Sequence, residues 1–244
     1  MKPLLFGHRG ARGLAPENTI TSFSIAISYG VDGVELDVHL SKDGHVIVMH
    51  DDKVDRTTDG KGYIKDLTLN EIKSLDAGSK FSQRFKGEKV PTLEEVFESF
   101  KDKILYKVEI KHSSEIYPGI EKKVVEIIKR YNLQKKVQII SFDFDSLKIV
   151  KELDPTISVG IIIEGRPLWY IDIAKKLEAE WIHAFYGLVY SSKDIEGAHA
   201  HGIKVGVWTL NDEQSINAFC KMGVDDITSD YPNELVRLCK SSER

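Results

Sequence analysis

The amino-acid sequence predicts an α/β fold, a TIM (β/α)8 barrel, because short apolar runs alternate with amphipathic stretches along the whole chain. Eight strand candidates fall within 244 residues, and a (β/α)8 barrel typically takes about 250 residues. A doubly wound open sheet is the main competitor, but no Gly-x-Gly-x-x-Gly motif follows the first strand candidate. No linker-like segment interrupts the sequence, so residues 1–244 are expected to form a single domain.

The strand candidates are spread evenly along most of the chain. They begin near Leu4, Val34, Ile104, Val137, Ser158, Trp181, Lys204 and Asp226. From residue 137 onward the starts recur about every 20 to 25 residues, which is typical of compact βα units. The longer interval from 34 to 104 holds an additional hairpin and then a polar, glycine-containing segment, about residues 51–90. This segment is predicted to be a small insertion after strand 2, with a helix near residues 68–75.

Capping patterns place the helices between these strands. Residues 92–95 (Thr-Leu-Glu-Glu) and 211–214 (Asn-Asp-Glu-Gln) have the capping-box pattern that starts a helix. An apolar helical stripe over residues 20–27 ends at Gly30, and Asp154-Pro155 ends a later helix. The alternation of strands and helices therefore has readable boundaries.

Charge and composition exclude several classes of function. The formal net charge of −4 gives no electrostatic reason to bind nucleic acid. No apolar run approaches the ~20 residues of a membrane span, and the apolar stretch before Gly7 is too short for a signal peptide. Cys220 and Cys239 fall in predicted helices and indicate neither a disulfide framework nor a metal cluster. Reduced cysteines and a cytoplasmic location are therefore expected, while the oligomeric state is left open.

Charged side chains occupy one face of two predicted strands. In strand 2, alternation places Glu35 and Asp37 opposite an apolar face, and in the strand after the insertion Lys107, Glu109 and Lys111 do the same. Helices cover the outside of a barrel, so these charges point inward, where they are costly unless paired or bound to metal. One strand alone would be explained by an ion pair between Glu109 and a neighbouring lysine. Five inward charges on two strands favour a polar site.

Three of these groups indicate a metal site. Glu35, Asp37 and Glu109 are carboxylates without a thiolate among them, a set that suits a hard divalent cation, Mg²⁺ or Ca²⁺. Water and substrate oxygens would complete the coordination. Zinc prefers histidine or cysteine, and the nearby His8 and His50 keep it open as an alternative.

Two histidines and an arginine accompany the carboxylates. His8 and Arg9 follow the first strand directly, at the edge where barrel active sites lie, and His50 follows the second arm of the additional hairpin. Arg9 offers a planar fork for phosphate or carboxylate, and two histidines near a metal suit acid–base cleavage of a phosphodiester. Five further histidines are interpreted as core or surface residues: His39, His45, His183, His199 and His201. Of these, His39 shares the inward face of Asp37.

Trp208 lies on the inward face of the seventh strand candidate, together with Gly206. The ordinary interpretation is a core aromatic. Near a polar barrel mouth the ring would instead form a wall of the substrate pocket, and both interpretations stay open.

The register of the additional hairpin decides where His50 lies. Asp43-Gly44 is a preferred pair for a two-residue turn, which sets Asp37 opposite His50, whereas a four-residue loop sets Glu35 opposite His50. Directly opposed residues share a face of the sheet, so both registers place His50 on the carboxylate side. The hairpin is therefore expected to fold His50 over the metal, with His8 facing the same cavity.

Ordered motifs along the whole chain resemble the glycerophosphodiester phosphodiesterase family. They are His8-Arg9-Gly10, Pro16-Glu17-Asn18-Thr19, Gly30-Val31-Asp32-Gly33-Val34-Glu35-Leu36-Asp37-Val38, Lys42-Asp43-Gly44, His50-Asp51, Val90-Pro91-Thr92-Leu93-Glu94-Glu95, Glu109-Ile110-Lys111, Val207-Trp208-Thr209 and Asp226-Ile227-Thr228-Ser229-Asp230-Tyr231-Pro232. Any one tripeptide is a weak signal, but the ordered set is specific.

The resemblance implies a TIM-barrel phosphodiesterase of the superfamily that includes the bacterial phosphatidylinositol phospholipases C. By position, it implies metal ligands, an acid–base pair and phosphate contacts. These are Glu35, Asp37 and Glu109 for the metal, His8 and His50 for acid–base catalysis, and Arg9 and Lys111 for phosphate. The implied substrates are small sn-glycerol 3-phosphodiesters, cut to glycerol 3-phosphate and an alcohol. The implied nucleophile is the glycerol 2-hydroxyl, through a cyclic phosphate, with direct attack by water as the other route.

Three alternatives stay open at this point. A lysophospholipase D would cut the same bond in a lipid and would need an apolar rim at the mouth. The candidates for that rim are Phe81, Phe85, Leu168, Trp169 and Tyr170. A metal-dependent sugar-phosphate isomerase explains the paired histidines less well. A non-catalytic binding barrel is disfavoured because every expected chemical group is present.

Overall fold

Eight parallel strands close into a barrel in the computed structural model, which describes residues 2–112, 114–166 and 169–240. With one additional antiparallel strand, β3, the described strands are β1 Leu4–Gly7, β2 Gly33–Leu40, β3 Val46–Val48, β4 Leu105–Ile110, β5 Val137–Ser141, β6 Ser158–Ile163, β7 Trp181–Phe185, β8 Lys204–Trp208 and β9 Asp226–Ser229. β1 pairs in parallel with both β9 and β2, which closes the sheet, and β3 is the antiparallel arm of a hairpin with β2. The predicted TIM barrel is confirmed, and each predicted strand start lies within one residue of the observed start.

Helices connect the barrel strands and cover their outer face. They are α1 Ile20–Ser28, α2 Leu69–Ser74, α3 Leu93–Phe100, α4 Ile120–Arg130, α5 Phe144–Leu153, α6 Tyr170–Lys176, α7 Ser192–His199, α8 Glu213–Met222 and α9 Pro232–Lys240. Thr92 and Glu95 form the predicted capping box of α3. The pattern predicted at 211–214 is shifted by one residue, because Asp212 is the N-cap of α8 and accepts from the Ser215 N–H.

The main hydrophobic core lies between the strands and the helices. On β2, the alternate residues Val34, Leu36 and Val38 are completely buried in this layer. The residues between them, Glu35 and Asp37, therefore face the barrel interior, as the alternation predicts. The fold thus directs charged side chains into the barrel and towards the carboxyl ends of its strands.

The segment after β3 forms an insertion with a small core of its own. That core is made of Ile47, Met49, Val54, Ile64, Ile72, Ala77 and Val90. Its helix α2 begins after Thr68, whose side chain accepts from the Glu71 N–H, close to the bounds expected for it. The insertion packs beside the barrel mouth and contributes residues to the site described below.

Both predicted registers of the β2–β3 hairpin are wrong. Leu40 pairs with Val46, and Val38 with Val48, so the loop between the paired ends is residues 41–45. Both predicted registers required a loop with an even number of residues. The reason is a turn over residues 41–44, closed by the Gly44 N–H on the Ser41 carbonyl, after which Gly44 is left-handed, with φ of 80°, and the Ser41 N–H donates to the His45 carbonyl. In a continued ladder His50 would face away from the carboxylates. The ladder ends at Val48, however, and the bend after it turns His50 back to the barrel.

The two cysteines depart from the sequence expectation. Cys220 of α8 and Cys239 of α9 form a disulfide, because the last two helices pack against each other. The expectation of unpaired, reduced cysteines is therefore wrong for this structure, and the cytoplasmic location stays a prediction. Among the described residues, the longest apolar helices are too short to cross a membrane.

Candidate active site

Three carboxylates converge at the carboxyl ends of β2 and β4. Asp37 is directly opposite Glu109 in the parallel register. Glu35 lies two residues before Asp37 on β2, so the two side chains share a face of the sheet. Each residue is at most 7% exposed, and one oxygen of each carboxylate lies within 4.8 Å of the others. The sequence prediction that these three residues lie together is thus met by the geometry.

The electrostatics of this cluster fit a bound cation. Burial, together with the charge of Asp37, raises the pKa of Glu35 well above its usual range and that of Glu109 to about 7. Burial also acts on Asp37, but Arg9 and Lys111 outweigh it and hold the pKa of Asp37 below its usual range. One buried oxygen of Asp37, Oδ1, has no hydrogen-bond partner. An all-oxygen ligand set with a free lone pair suits a hard divalent cation.

His8 lies at the barrel mouth, directly after β1. Its Nδ1 is 2.6 Å from Asp230 Oδ1, and its Nε2 is 3.8 Å from Glu35 Oε2. An ionised carboxylate only accepts, so the hydrogen of the neutral ring is on Nδ1 and Nε2 carries the free lone pair. Burial lowers the pKa of His8 and favours this neutral form, although the hydrogen bond to Asp230 partly offsets the shift.

His50 also borders the cavity that His8 lines. Its Nδ1 is 2.7 Å from Asp51 Oδ1, so in the neutral ring Nε2 carries the free lone pair. The backbone carbonyl of His50 accepts from His39 Nε2 at 3.0 Å, which fixes the bend after β3. Burial lowers the pKa of His50, and the charges of Arg9 and Lys111 act in the same direction, against Asp37 and Asp51. Both histidines are therefore oriented by a carboxylate on Nδ1.

Two cations flank the carboxylates. The Arg9 backbone N–H donates to Glu35 Oε2 at 2.9 Å, and its guanidinium donates to Glu17 Oε1 at 2.9 Å. Lys111 Nζ donates to Glu109 Oε1 at 2.7 Å and lies 3.6 Å from Asp37 Oδ1. Both are largely buried, and together they present positive charge beside the two histidines. Positive charge of this kind suits an anionic group such as a phosphodiester.

The cavity around these groups has a volume of about 210 Å³ and two unlike sides. The charged side contains the two histidines, Arg9, Lys111, Glu35 and Glu109. The apolar side contains Ile140, Phe142, Ile162 and Trp208. Trp208 borders the cavity, in agreement with the interpretation of its ring as a wall of the pocket. Its Nε1 donates to the His183 carbonyl at 3.1 Å. The site can therefore hold an anion at one side and a small, less polar group at the other.

Three residues that support this site, Glu17, Asn18 and Asp230, were not predicted as site residues. Glu17 and Asp230 hold Arg9 and His8, and Asn18 Nδ2 donates to Asp37 Oδ2 at 2.8 Å. All three lie in motifs quoted above, so the motif match was the signal that could have found them. At the base of the cavity, Lys107 Nζ donates to Asp226 Oδ1 at 2.5 Å, and both side chains are buried.

Two of the five histidines interpreted as core or surface residues, His39 and His183, are buried as that interpretation expects, and they also adjoin the site. His183 borders the cavity, with its Nε2 2.9 Å from Gln138 Oε1, and His39 supports His50. Their inward faces on β7 and β2 cause this placement. His199 and His201, by contrast, contact Asp225 and the Gly197 carbonyl outside the cavity.

The candidates for an apolar rim are only partly exposed. Phe81 and Trp169 are 45% and 66% exposed. Phe85 packs on Phe81, and Tyr170 packs against the main core. Leu168 lies outside the described residues.

Comparison with known proteins identifies the family of this chain. The model of the glycerophosphoryl diester phosphodiesterase family matches residues 8–234. A glycerophosphodiester phosphodiesterase of Caldanaerobacter subterraneus is 44% identical, over 98% of this chain and 99% of the relative. A solved phosphodiesterase of Oleispira antarctica, in complex with the product sn-glycerol-3-phosphate, has a TM-score of 0.92 at 32% identity. That alignment covers 98% of this chain and 97% of the other. A glycerophosphodiester phosphodiesterase of Thermotoga maritima has a TM-score of 0.78 at 30% identity, covering 98% and 99%.

Proposed function

Because this chain belongs to the glycerophosphoryl diester phosphodiesterase family and is a glycerophosphodiester phosphodiesterase, we propose how its site performs that reaction. The substrate is a glycerophosphodiester, and the products are sn-glycerol 3-phosphate and an alcohol. His8 and His50 act as the acid–base pair. The observation that carries this proposal is one cavity bordered by both histidines, by the carboxylates of Glu35 and Glu109, and by the cations Arg9 and Lys111.

The carboxylates of Glu35, Asp37 and Glu109 would hold the divalent cation, Mg²⁺ or Ca²⁺. The close approach of three buried carboxylates, with Asp37 Oδ1 lacking a hydrogen-bond partner, supports this part of the proposal. When bound, the cation supplies positive charge that offsets charge developing on the phosphoryl oxygens. The protein's own cations, Arg9 and Lys111, bind and orient the same anionic group.

Proton transfer follows from the orientation of the two rings. The Nε2 of one histidine takes the proton of the glycerol 2-hydroxyl, whose oxygen forms a bond to phosphorus. The bond from phosphorus to the alcohol oxygen breaks, and the other histidine, which starts this step protonated on both ring nitrogens, gives that oxygen the proton of its Nε2. In the second step water opens the cyclic phosphate and the roles of the histidines are exchanged. Asp230 and Asp51 keep a hydrogen on Nδ1 of His8 and His50, so that the proton taken up and released is the one on Nε2.

A panel of substrates tests the proposal. We expect sn-glycero-3-phosphocholine and sn-glycero-3-phosphoethanolamine to yield sn-glycerol 3-phosphate, with the cyclic phosphate visible by ³¹P NMR during turnover. A bis(p-nitrophenyl) phosphate control lacks the 2-hydroxyl and should yield no cyclic species. Turnover confined to lysophosphatidylcholine would favour the lysophospholipase D alternative instead. Binding of these compounds without any turnover would contradict the catalytic proposal.

A further inference from the structure

One arginine of the insertion after β3, Arg56, binds two carboxylates that lie beside the site. Arg56 Nε and Nη2 donate to Asp51 at 2.7 and 2.9 Å, and its Nη1 and Nη2 donate to Glu17 at 2.9 and 2.7 Å. Asp51 is the partner of His50, and Glu17 is the partner of Arg9. A single guanidinium therefore connects the carboxylates that orient one histidine and one phosphate-binding cation.

The backbone that carries Arg56 is anchored in the core of the insertion. Val54 and Thr58, two residues to either side, are completely buried. The Thr58 N–H donates to the Val54 carbonyl at 3.0 Å, and the Thr58 hydroxyl donates to the same carbonyl at 2.8 Å. A side chain on a fixed turn loses little additional freedom when it binds, so its position is well defined. This geometry separates Arg56 from a mobile surface arginine, although its side chain is 44% exposed.

We propose that Arg56 is a positioning residue, which holds His50 through Asp51 and Arg9 through Glu17 in one arrangement. The inference rests on the proposed roles of His50 and Arg9. Only a planar fork can satisfy both carboxylates at once, because its N–H groups point along two edges. A lysine at this position supplies the charge but can reach fewer of these oxygens.

The first arm of the experiment measures kinetics on sn-glycero-3-phosphocholine. Arg56→Ala should lower kcat/KM by about 10- to 100-fold, by analogy with the loss on removing residues that orient metal ligands. The loss should be divided between a lower kcat, from His50, and a higher KM, from Arg9. Arg56→Lys should recover only part of it. Added guanidinium ion at millimolar concentration should raise the turnover of Arg56→Ala but not that of the wild type.

A matched control separates positioning from general damage to the insertion. Arg84 is another exposed arginine of the insertion, which lies over the Phe85 ring and donates to the Leu14 carbonyl. Arg84→Ala should keep kcat and KM within about twofold of the wild type. Circular dichroism and the midpoint of thermal unfolding verify that both alanine variants are folded.

The second arm of the experiment measures the pKa of His50 by NMR titration. The charged groups facing this ring are Asp37, Asp51, Arg9 and Lys111. Removal of Arg56 leaves Asp51 without its cation, so the pKa of His50 should rise in Arg56→Ala and return towards the wild-type value in Arg56→Lys. A residue that served only to stabilise the fold would not move this pKa.

The outcomes distinguish this inference from the proposed function. If His50→Ala is inactive while Arg56→Ala has wild-type kinetics and an unchanged His50 titration, the positioning role is overturned and the proposed function stands. If His50→Ala retains wild-type turnover, the proposed role of His50 is wrong, and with it the kinetic part of this inference. Loss of activity in Arg56→Ala without guanidinium rescue or a shifted titration would also overturn the positioning role.

Discussion

Glu17 offers the sharpest test of the ion-pair network around Arg9. Its side chain is 9% exposed and accepts hydrogen bonds from three arginines, Arg9, Arg12 and Arg56. Burial would raise the pKa of Glu17, but the hydrogen bonds and charges of Arg56 and Arg9 outweigh it and lower the pKa to about 2. The perturbation is Glu17→Gln, which keeps the shape of the side chain and removes its charge.

The pKa shift sets the expected loss of stability. A carboxyl group whose pKa falls from 4.5 to about 2 on folding stabilises the folded state by about 3 kcal/mol at pH 7. Because the folded pKa of Glu17 is depressed, this contribution is complete well above pH 4.5 and declines as the pH falls towards 2. By pH 3.5 about 2 kcal/mol should remain.

The assay is urea unfolding of wild type and Glu17→Gln from pH 7 to 3.5. The free energy of unfolding should differ most at pH 7, and the difference should shrink as the pH falls. Glu126→Gln is the control, since Glu126 is exposed and lies 3.9 Å from Lys122, a surface pair worth about 0–1 kcal/mol. A Glu17 difference below 1 kcal/mol at pH 7, or one independent of pH, would refute the reasoning.

Two further predictions concern the cavity. His8→Ala and His50→Ala should each lower kcat by about 100-fold or more with the unfolding midpoint unchanged, the usual scale for acid–base groups; near wild-type turnover in either variant would remove that histidine from the pair. Lys107→Met should destabilise the fold by about 3–5 kcal/mol, because it leaves Asp226 as an unpaired buried charge. Lys107→Met combined with Asp226→Asn should recover most of that loss in denaturant unfolding, and a double variant as unstable as the single one would contradict the ion-pair account.

The main parts of the site were predictable because strand alternation is a local property of the sequence. Glu35 and Asp37 on β2, and Glu109 and Lys111 on and after β4, follow from a period of two and a barrel whose outside is apolar. His8 follows from its position at the end of β1. These residues need no knowledge of distant contacts.

The partners of these residues depend on contacts that the sequence does not encode locally. Asp230 is 222 positions from His8, and Arg56 is 39 positions from Glu17, so only the folded chain brings them together. The hairpin shows a different limit. Its register was wrong because Gly44 adds a left-handed residue, yet His50 still reaches the cavity because the ladder ends at Val48.

The cysteine pair shows the same dependence on packing. Spacing and predicted helices gave no sign that Cys220 and Cys239 would meet, since the relative placement of α8 and α9 is a tertiary feature. Two cysteines in separate helices can pair whenever those helices pack side by side at a suitable height.

The central claim is that three buried carboxylates hold a divalent cation that this phosphodiesterase needs for turnover. The most direct measurement is release of sn-glycerol 3-phosphate from sn-glycero-3-phosphocholine by enzyme stripped with EDTA, before and after addition of Mg²⁺ or Ca²⁺. Stripped enzyme should be inactive and regain turnover with the cation, whereas Glu35→Gln should need a higher concentration of it, having lost one anionic ligand. Full turnover by the chelated, metal-free enzyme would contradict the account.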